Sequence, residues 1–259
     1  MSTPDDDLAV LRRCMDDPDG ALRAHYQPVL DRQTNSIVAL EALARWRSGT
    51  PAPTPGSPRF ITAVEQDGAG MALTNAMVAQ GLPSLAGWHA QGHELTLNVN
   101  VFVDDLGHIG ETLRAACATY GVPTSAVAVE IKGDATPEQV ADTVRRLHHD
   151  SIRTEIDHFG ADAADLGWLA TIPFDGIKID KWLISGIHRN TRNLTIVRHL
   201  VAMANDLGMV VTACGLEHPA EVAAVAETGV HRLQGYGIAG AMTDGIVTDS
   251  LDHGLPNTR

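Results

Sequence analysis

Ile152-Arg-Thr-Glu-Ile156-Asp157-His158-Phe159-Gly160 and Phe174-Asp175-Gly176-Ile177-Lys178-Ile179-Asp180 are apolar, β-like runs that place Asp157 and Lys178 at their ends, with an amphipathic helical stretch between them. Strand, helix, strand is a βαβ unit. In parallel α/β architectures functional groups collect at the carboxyl ends of strands, so Asp157 and Lys178 are expected to open onto one shared face.

The same alternation extends in both directions. Helical periodicity over Thr74 to Ala90, Gly110 to Tyr120, Pro137 to His149, Thr195 to Leu207 and Pro219 to Thr228 separates short apolar runs ending at Asn98, Glu130, Asp157, Lys178, Cys214 and Gln234. The boundary chemistry agrees. Thr136-Pro137-Glu138-Gln139 reads as a capping box with proline at the first helical position, and Gly208 and Gly229 stand where helices should stop. One polar residue at a strand end is ordinarily the edge of a core. A series that includes Glu41, Asn98, Glu130, Asp157, Lys178 and Gln234 points to a lined mouth.

Upstream, His25 to Leu30 and Ile37 to Glu41 are apolar runs joined by a turn-rich link, which predicts an antiparallel hairpin. Leu8 to Leu22 reads as a short leading helix, and the prolines of Thr50 to Pro58 favour an extended loop. The expected division is an N-terminal helical extension over 1–24, a barrel over 25–245 and a C-terminal tail over 246–259. A chain of 259 residues without a linker between comparable halves suits a single α/β domain, a (β/α)8 TIM-type barrel with one antiparallel strand.

Composition narrows the function classes. A formal net charge of −13 without a Lys/Arg cluster argues against binding long nucleic acid. No uncharged apolar run approaches the ~20 residues of a membrane helix, and the N-terminus lacks signal-peptide character, so a cytoplasmic location is expected. Cys14, Cys117 and Cys214 are odd in number and widely spaced, as expected of reduced thiols.

Taken together, Tyr26-Gln27-Pro28, Glu41-Ala42-Leu43-Ala44-Arg45-Trp46, Leu97-Asn98-Val99-Asn100, Val129-Glu130-Ile131, Asp157-His158-Phe159-Gly160, Ile177-Lys178-Ile179-Asp180 and Gln234-Gly235-Tyr236 resemble the EAL-domain family, the barrel phosphodiesterases that linearise cyclic di-GMP. The resemblance runs from about Tyr26 to Met242. It implies that Glu41, Asn98, Glu130 and Asp157 surround a first Mg2+ or Mn2+ and that Lys178 sits near the nucleophilic water. It further implies that Gln27, Arg45 and Gln234 contact the nucleotide, along with Glu41, Leu43, Asn98 and Asp157 of the ligand site.

The departures fall on the catalytic half. His158 stands where active members carry a second Asp for the second metal, and a neutral imidazole is a poor exchange for a carboxylate at such an ion. Cys214 opens Cys214-Gly215-Leu216-Glu217 where the family has a Glu that positions the attacking water, and a thiol is a weak acceptor. Gly133 replaces a bracing Glu, Ala161 to Asp165 replaces the usual loop, and Ala241-Met242 replaces a Lys-Pro pair near a guanine.

The resulting expectation is a catalytically impaired, cyclic di-GMP-binding receptor module with an unidentified protein partner, its second metal site lost. A homodimer is expected by resemblance. Two alternatives stay open: an enzyme of residual or altered activity, with His158, Cys214, Glu130 and Asp157 forming a zinc-like site, and an interaction module that binds no nucleotide.

Overall fold

Val127–Lys132 shows how the barrel arises: from Val127 to Ile131 every side chain is buried, as in a strand covered on both faces. The computed structural model describes residues 22–46, 58–132, 136–161 and 166–255. In that range eight strands close into one barrel in sequence order. They are β1 (Leu22–Asp31), β2 (Ile37–Trp46), β3 (Thr96–Val101), β4 (Val127–Lys132), β5 (Arg153–Phe159), β6 (Gly176–Ile179), β7 (Val210–Ala213) and β8 (Arg232–Leu233). β1 runs antiparallel to both neighbours and all other pairings are parallel. The expected hairpin is present, and longer at both ends than the apolar runs alone indicate.

The helices are α1 (Pro58–Gln66), α2 (Gly70–Ala90), α3 (Ile109–Tyr120), α4 (Pro137–His149), α5 (Leu166–Thr171), α6 (Lys181–Ile184), α7 (Thr191–Asp206), α8 (Pro219–Ala226) and α9 (Asp244–His253). α4 opens at Pro137, as its sequence indicates. α7 is capped by Asn190, whose side chain accepts from the Arg192 and Asn193 amides at 3.1 Å each. In α2, Gly81 allows Leu97 of β3 to approach: a Cβ there would lie 2.7 Å from Leu97 Cδ2. The expected boundary at residue 245 falls inside α9, which buries Val247 and is tied to α2 by Trp88 Nε1 donating to Thr248 Oγ1 at 3.0 Å. No helix among the described residues is long and apolar enough to cross a membrane.

The expected leading helix, apart from Leu22, which opens β1, lies outside the described residues. So do most of the proline-rich segment, Gly133, and Asp162 to Asp165.

Candidate ligand site at the barrel mouth

Register brings the polar residues together. β2 and β3 align Glu41 with Asn98, β3 and β4 align Asn100 with Glu130, and β6 and β7 align Lys178 with Thr212. At the carboxyl ends of the parallel strands they enclose a cavity of about 380 Å3, lined by Gln27, Glu41, Leu43, Arg45, Asp157, His158, Lys178, Cys214 and Gln234 among others. This is the size range of small-molecule pockets. Asn98 and Glu130 belong to the same network but do not line the mouth. They are 1% and 0% exposed and form the layer beneath its floor. The reason is that the apolar runs do not stop where the polar residues begin: Asn98 is the third residue of a six-residue strand.

Lys178 is the centre of the network. Its ammonium lies 2.8 Å from Glu41 Oε2, 2.6 Å from Glu130 Oε1 and 3.8 Å from Asp157 Oδ1. Glu41 also accepts from Asn100 Nδ2 at 2.8 Å and from Gln234 Nε2 at 2.7 Å. Asn98 Nδ2 donates to Glu130 Oε1 at 2.8 Å and to Glu155 Oε2 at 3.3 Å.

Burial works against every charge here, so partners decide. It acts to raise Glu41, yet Lys178 and the donated hydrogen bonds of Lys178, Asn100 and Gln234 hold that carboxyl down at about 2. Glu130 has fewer donors; burial and the neighbouring Glu41 push it well above the usual carboxylate range. Burial acts to lower Lys178, and Glu130, Glu41 and Asp157 outweigh it, raising its pKa well above the usual range. One ammonium between two buried carboxyls thus holds Glu41 down while Glu130 stays raised.

His158 and Cys214, two positions where the resemblance implies carboxylates, are at the mouth. His158 Nδ1 is 3.2 Å from Asp157 Oδ2, and Nε2 is 4.0 Å from Asp180 Oδ2. His158 also has φ 53°, a left-handed conformation rare outside glycine but tolerated by Asn, Asp and His. Cys214 donates from Sγ to Gln234 Oε1 at 3.5 Å. Burial raises its thiol well above the usual range, against the pull of Lys178, so it is a neutral donor.

The donor chemistry fits a hard cation. Asn98 Oδ1 and Glu130 Oε2 are buried and have no hydrogen-bond partner among the described residues. Such acceptors call for an explanation. With Glu41 and Asp157 they supply oxygen donors of the type Mg2+ or Mn2+ takes. In the present arrangement Lys178 satisfies the carboxylates, and among the described residues no three His, Cys, Asp or Glu side chains converge at metal-ligand spacing. Neither the zinc-like set of His158, Cys214, Glu130 and Asp157 nor the carboxylates Glu41, Glu130 and Asp157 are therefore assembled at metal-ligand spacing among the described residues.

Some of the site was not picked out as functional from the sequence. Asn100 bonds Glu41, and its two-residue spacing from Asn98 along a strand was the available signal. Lys132 and Lys181 also line the mouth, adding cations beside Arg45 in an acidic chain. Gln27 is positioned from β1 by donating to the Ala239 carbonyl at 3.1 Å. Next to it, Tyr26 and Met242 exchange backbone hydrogen bonds of 2.7 and 2.9 Å, which pins the atypical Ala241-Met242 ending to the rim.

The EAL domain family profile matches residues 12–241, and the chain belongs to that family. Among curated relatives, the cyclic di-GMP phosphodiesterase NbdA of Pseudomonas aeruginosa is 31% identical over 224 residues, 84% of this chain and 28% of that protein. This chain spans about a third or less of the length of the first such relatives. Among solved structures, the PaMucR phosphodiesterase in complex with c-di-GMP superposes with a TM-score of 0.82 at 23% identity, covering 91% of this chain and 97% of the other. The FimX EAL domain from Pseudomonas aeruginosa bound to c-di-GMP gives 0.80 at 19%, covering 92% and 96%. These likenesses establish the barrel fold.

Proposed function

We propose that this domain is a cyclic di-GMP receptor: it binds the nucleotide at the barrel mouth and hydrolyses it little or not at all. The observation that carries the reading is the chemistry at His158 and Cys214. Both face the cavity where the family resemblance implies carboxylates, and neither supplies one. The neutral Cys214 thiol cannot take a proton from water at ordinary pH, and it is engaged with Gln234.

The binding side is better equipped. Arg45, Lys132 and Lys181 bring positive charge to the mouth, and Arg45 offers the planar fork that suits phosphate. Gln27 and Gln234 are held in place by hydrogen bonds to Ala239 and Glu41. Glu41, Asn98, Glu130 and Asp157 would hold one Mg2+ or Mn2+, which when bound supplies positive charge against a phosphate oxygen. Lys178 keeps the buried carboxyls compensated without it. The unpartnered Asn98 Oδ1 and Glu130 Oε2 favour one alternative, a weakly active enzyme that retains this single ion.

Output to a protein partner, and a homodimer, belong to the same proposal. Trp182 and Tyr236, 68% and 67% exposed, are aromatic anchors suited to such a contact. Calorimetric titration with cyclic di-GMP, with and without magnesium or calcium, followed by chromatography of the incubated mixture, tests the reading. Saturable binding without linear product is expected. Product at enzymic rates overturns it in favour of an enzyme, and absence of both binding and product in favour of a pure interaction module.

A further inference from the structure

The opposite end of the barrel carries a second cavity, of about 640 Å3, and two arginines line it. Arg153 is the first residue of β5, Arg232 the first of β8 and Thr96 the first of β3, so all three stand at the end away from Asp157 and Lys178. Both arginines line this cavity, with His93 and Ser125 beside them.

The two guanidiniums are held differently. Arg232, with its side chain 14% exposed, donates from NH1 to the buried Glu155 Oε1 at 3.3 Å, a single long bond from a group that can make two. Arg153 is exposed; it reaches Thr96 Oγ1 at 3.5 Å, and among the described residues it forms no ion pair. His93 lies 3.5 Å from Asp252, and Glu94 is the one carboxylate among the described lining residues. Arg232 is compensated by Glu155 through one long bond and Arg153 has no carboxylate partner among the described residues, so the cavity holds more guanidinium donors than carboxylate acceptors, in a chain with 19 Lys and Arg against 32 Asp and Glu.

We propose that this amino-end cavity is a second binding site, for a small phosphate-bearing anion held by Arg153 and Arg232. Guanidinium forks match tetrahedral oxyanions, with Arg232 pre-oriented by Glu155 and Arg153 free to close on the ligand. The site shares no lining residue with the mouth and does not depend on the nucleotide reading.

The test is calorimetric titration of the full chain with inorganic phosphate and, separately, glycerol 3-phosphate, at constant ionic strength. Saturable binding is expected. Arg153→Ala, at an exposed strand end where folding is not at stake, should weaken it about tenfold or more, while Arg114→Ala, an exposed residue paired with Asp150 that lines neither cavity, should leave it unchanged. Tighter binding of the ester assigns the site to a phosphomonoester, and equal binding to free phosphate; both uphold the site. No saturable binding, or binding that persists in Arg153→Ala or is lost in Arg114→Ala, overturns the proposal.

Discussion

Lys178 Nζ lies 2.8 Å from Glu41 Oε2 and 2.6 Å from Glu130 Oε1, so one ammonium serves two buried carboxyls that it does not affect equally. Glu41 has additional donors and is held down; Glu130 stays raised. Substitutions at the two positions should therefore differ. Glu41→Ala removes one of the two carboxyls nearest a buried ammonium, together with the acceptor of Asn100 and Gln234, and should cost about 3–5 kcal/mol in chemical denaturation. Glu130→Gln keeps an acceptor for Asn98 and leaves Glu41 beside Lys178, and should cost less than Glu41→Ala, below about 3 kcal/mol.

The same asymmetry sets a pH dependence. Glu41 is held at about 2 in the fold against an ordinary 4.5, so its contribution to stability is present above pH 4.5 and is lost as pH falls toward 2. Denaturation midpoints should decline over that window in the wild type and decline less in Glu41→Gln. An equal decline in both would place the acid sensitivity elsewhere.

Arg45 lines the mouth from β2, and its only described hydrogen bond goes to its neighbour's Ala44 carbonyl at 2.7 Å. Its removal should cost the fold little. Arg45→Ala should weaken cyclic di-GMP binding by roughly 10- to 100-fold through loss of charge-assisted hydrogen bonds, with an unchanged melting temperature. Calorimetry and thermal melting together measure this.

Two positions account for the expected lack of turnover. His158→Asp with Cys214→Glu should give measurable manganese-dependent hydrolysis, more than either change alone, because groups acting as a unit are not independent. Aspartate tolerates the left-handed backbone at 158, so the first change adds little strain. Each new carboxylate adds repulsion until a divalent ion binds, so metal affinity should rise with activity. A double variant that binds metal and cyclic di-GMP yet releases no linear product would move the defect to the rim at Ala241-Met242.

Gly215 follows Cys214 with φ +75°, and a Cβ there would lie 2.3 Å from Lys181 Cβ. Gly215→Ala should cost about 1–3 kcal/mol as an overpacked, left-handed position. By shifting Lys181 and Cys214 it should also weaken ligand binding, which separate melting and titration experiments would resolve.

The sequence by itself determined the strand-helix order, and its resemblance to the family implied the barrel. The alternation of buried runs with helical stretches, the hairpin that turns one strand antiparallel and the ordered family motifs all follow from local periodicity and from residue types with few substitutes. It also exposed His158 and Cys214, because a departure from a pattern is visible without coordinates. Closure and register were left to the tertiary structure. They sank Asn98 and Glu130 beneath the floor instead of at the rim, because strands of differing length and stagger place equivalent motif positions at different depths. They made Asn100 a partner of Glu41 and brought Lys132 and Lys181 to the mouth. They also set Arg153 and Arg232, 79 positions apart, in one cavity at the far end. Contacts between strands distant in the chain depend on how the sheet closes, and no local pattern encodes that.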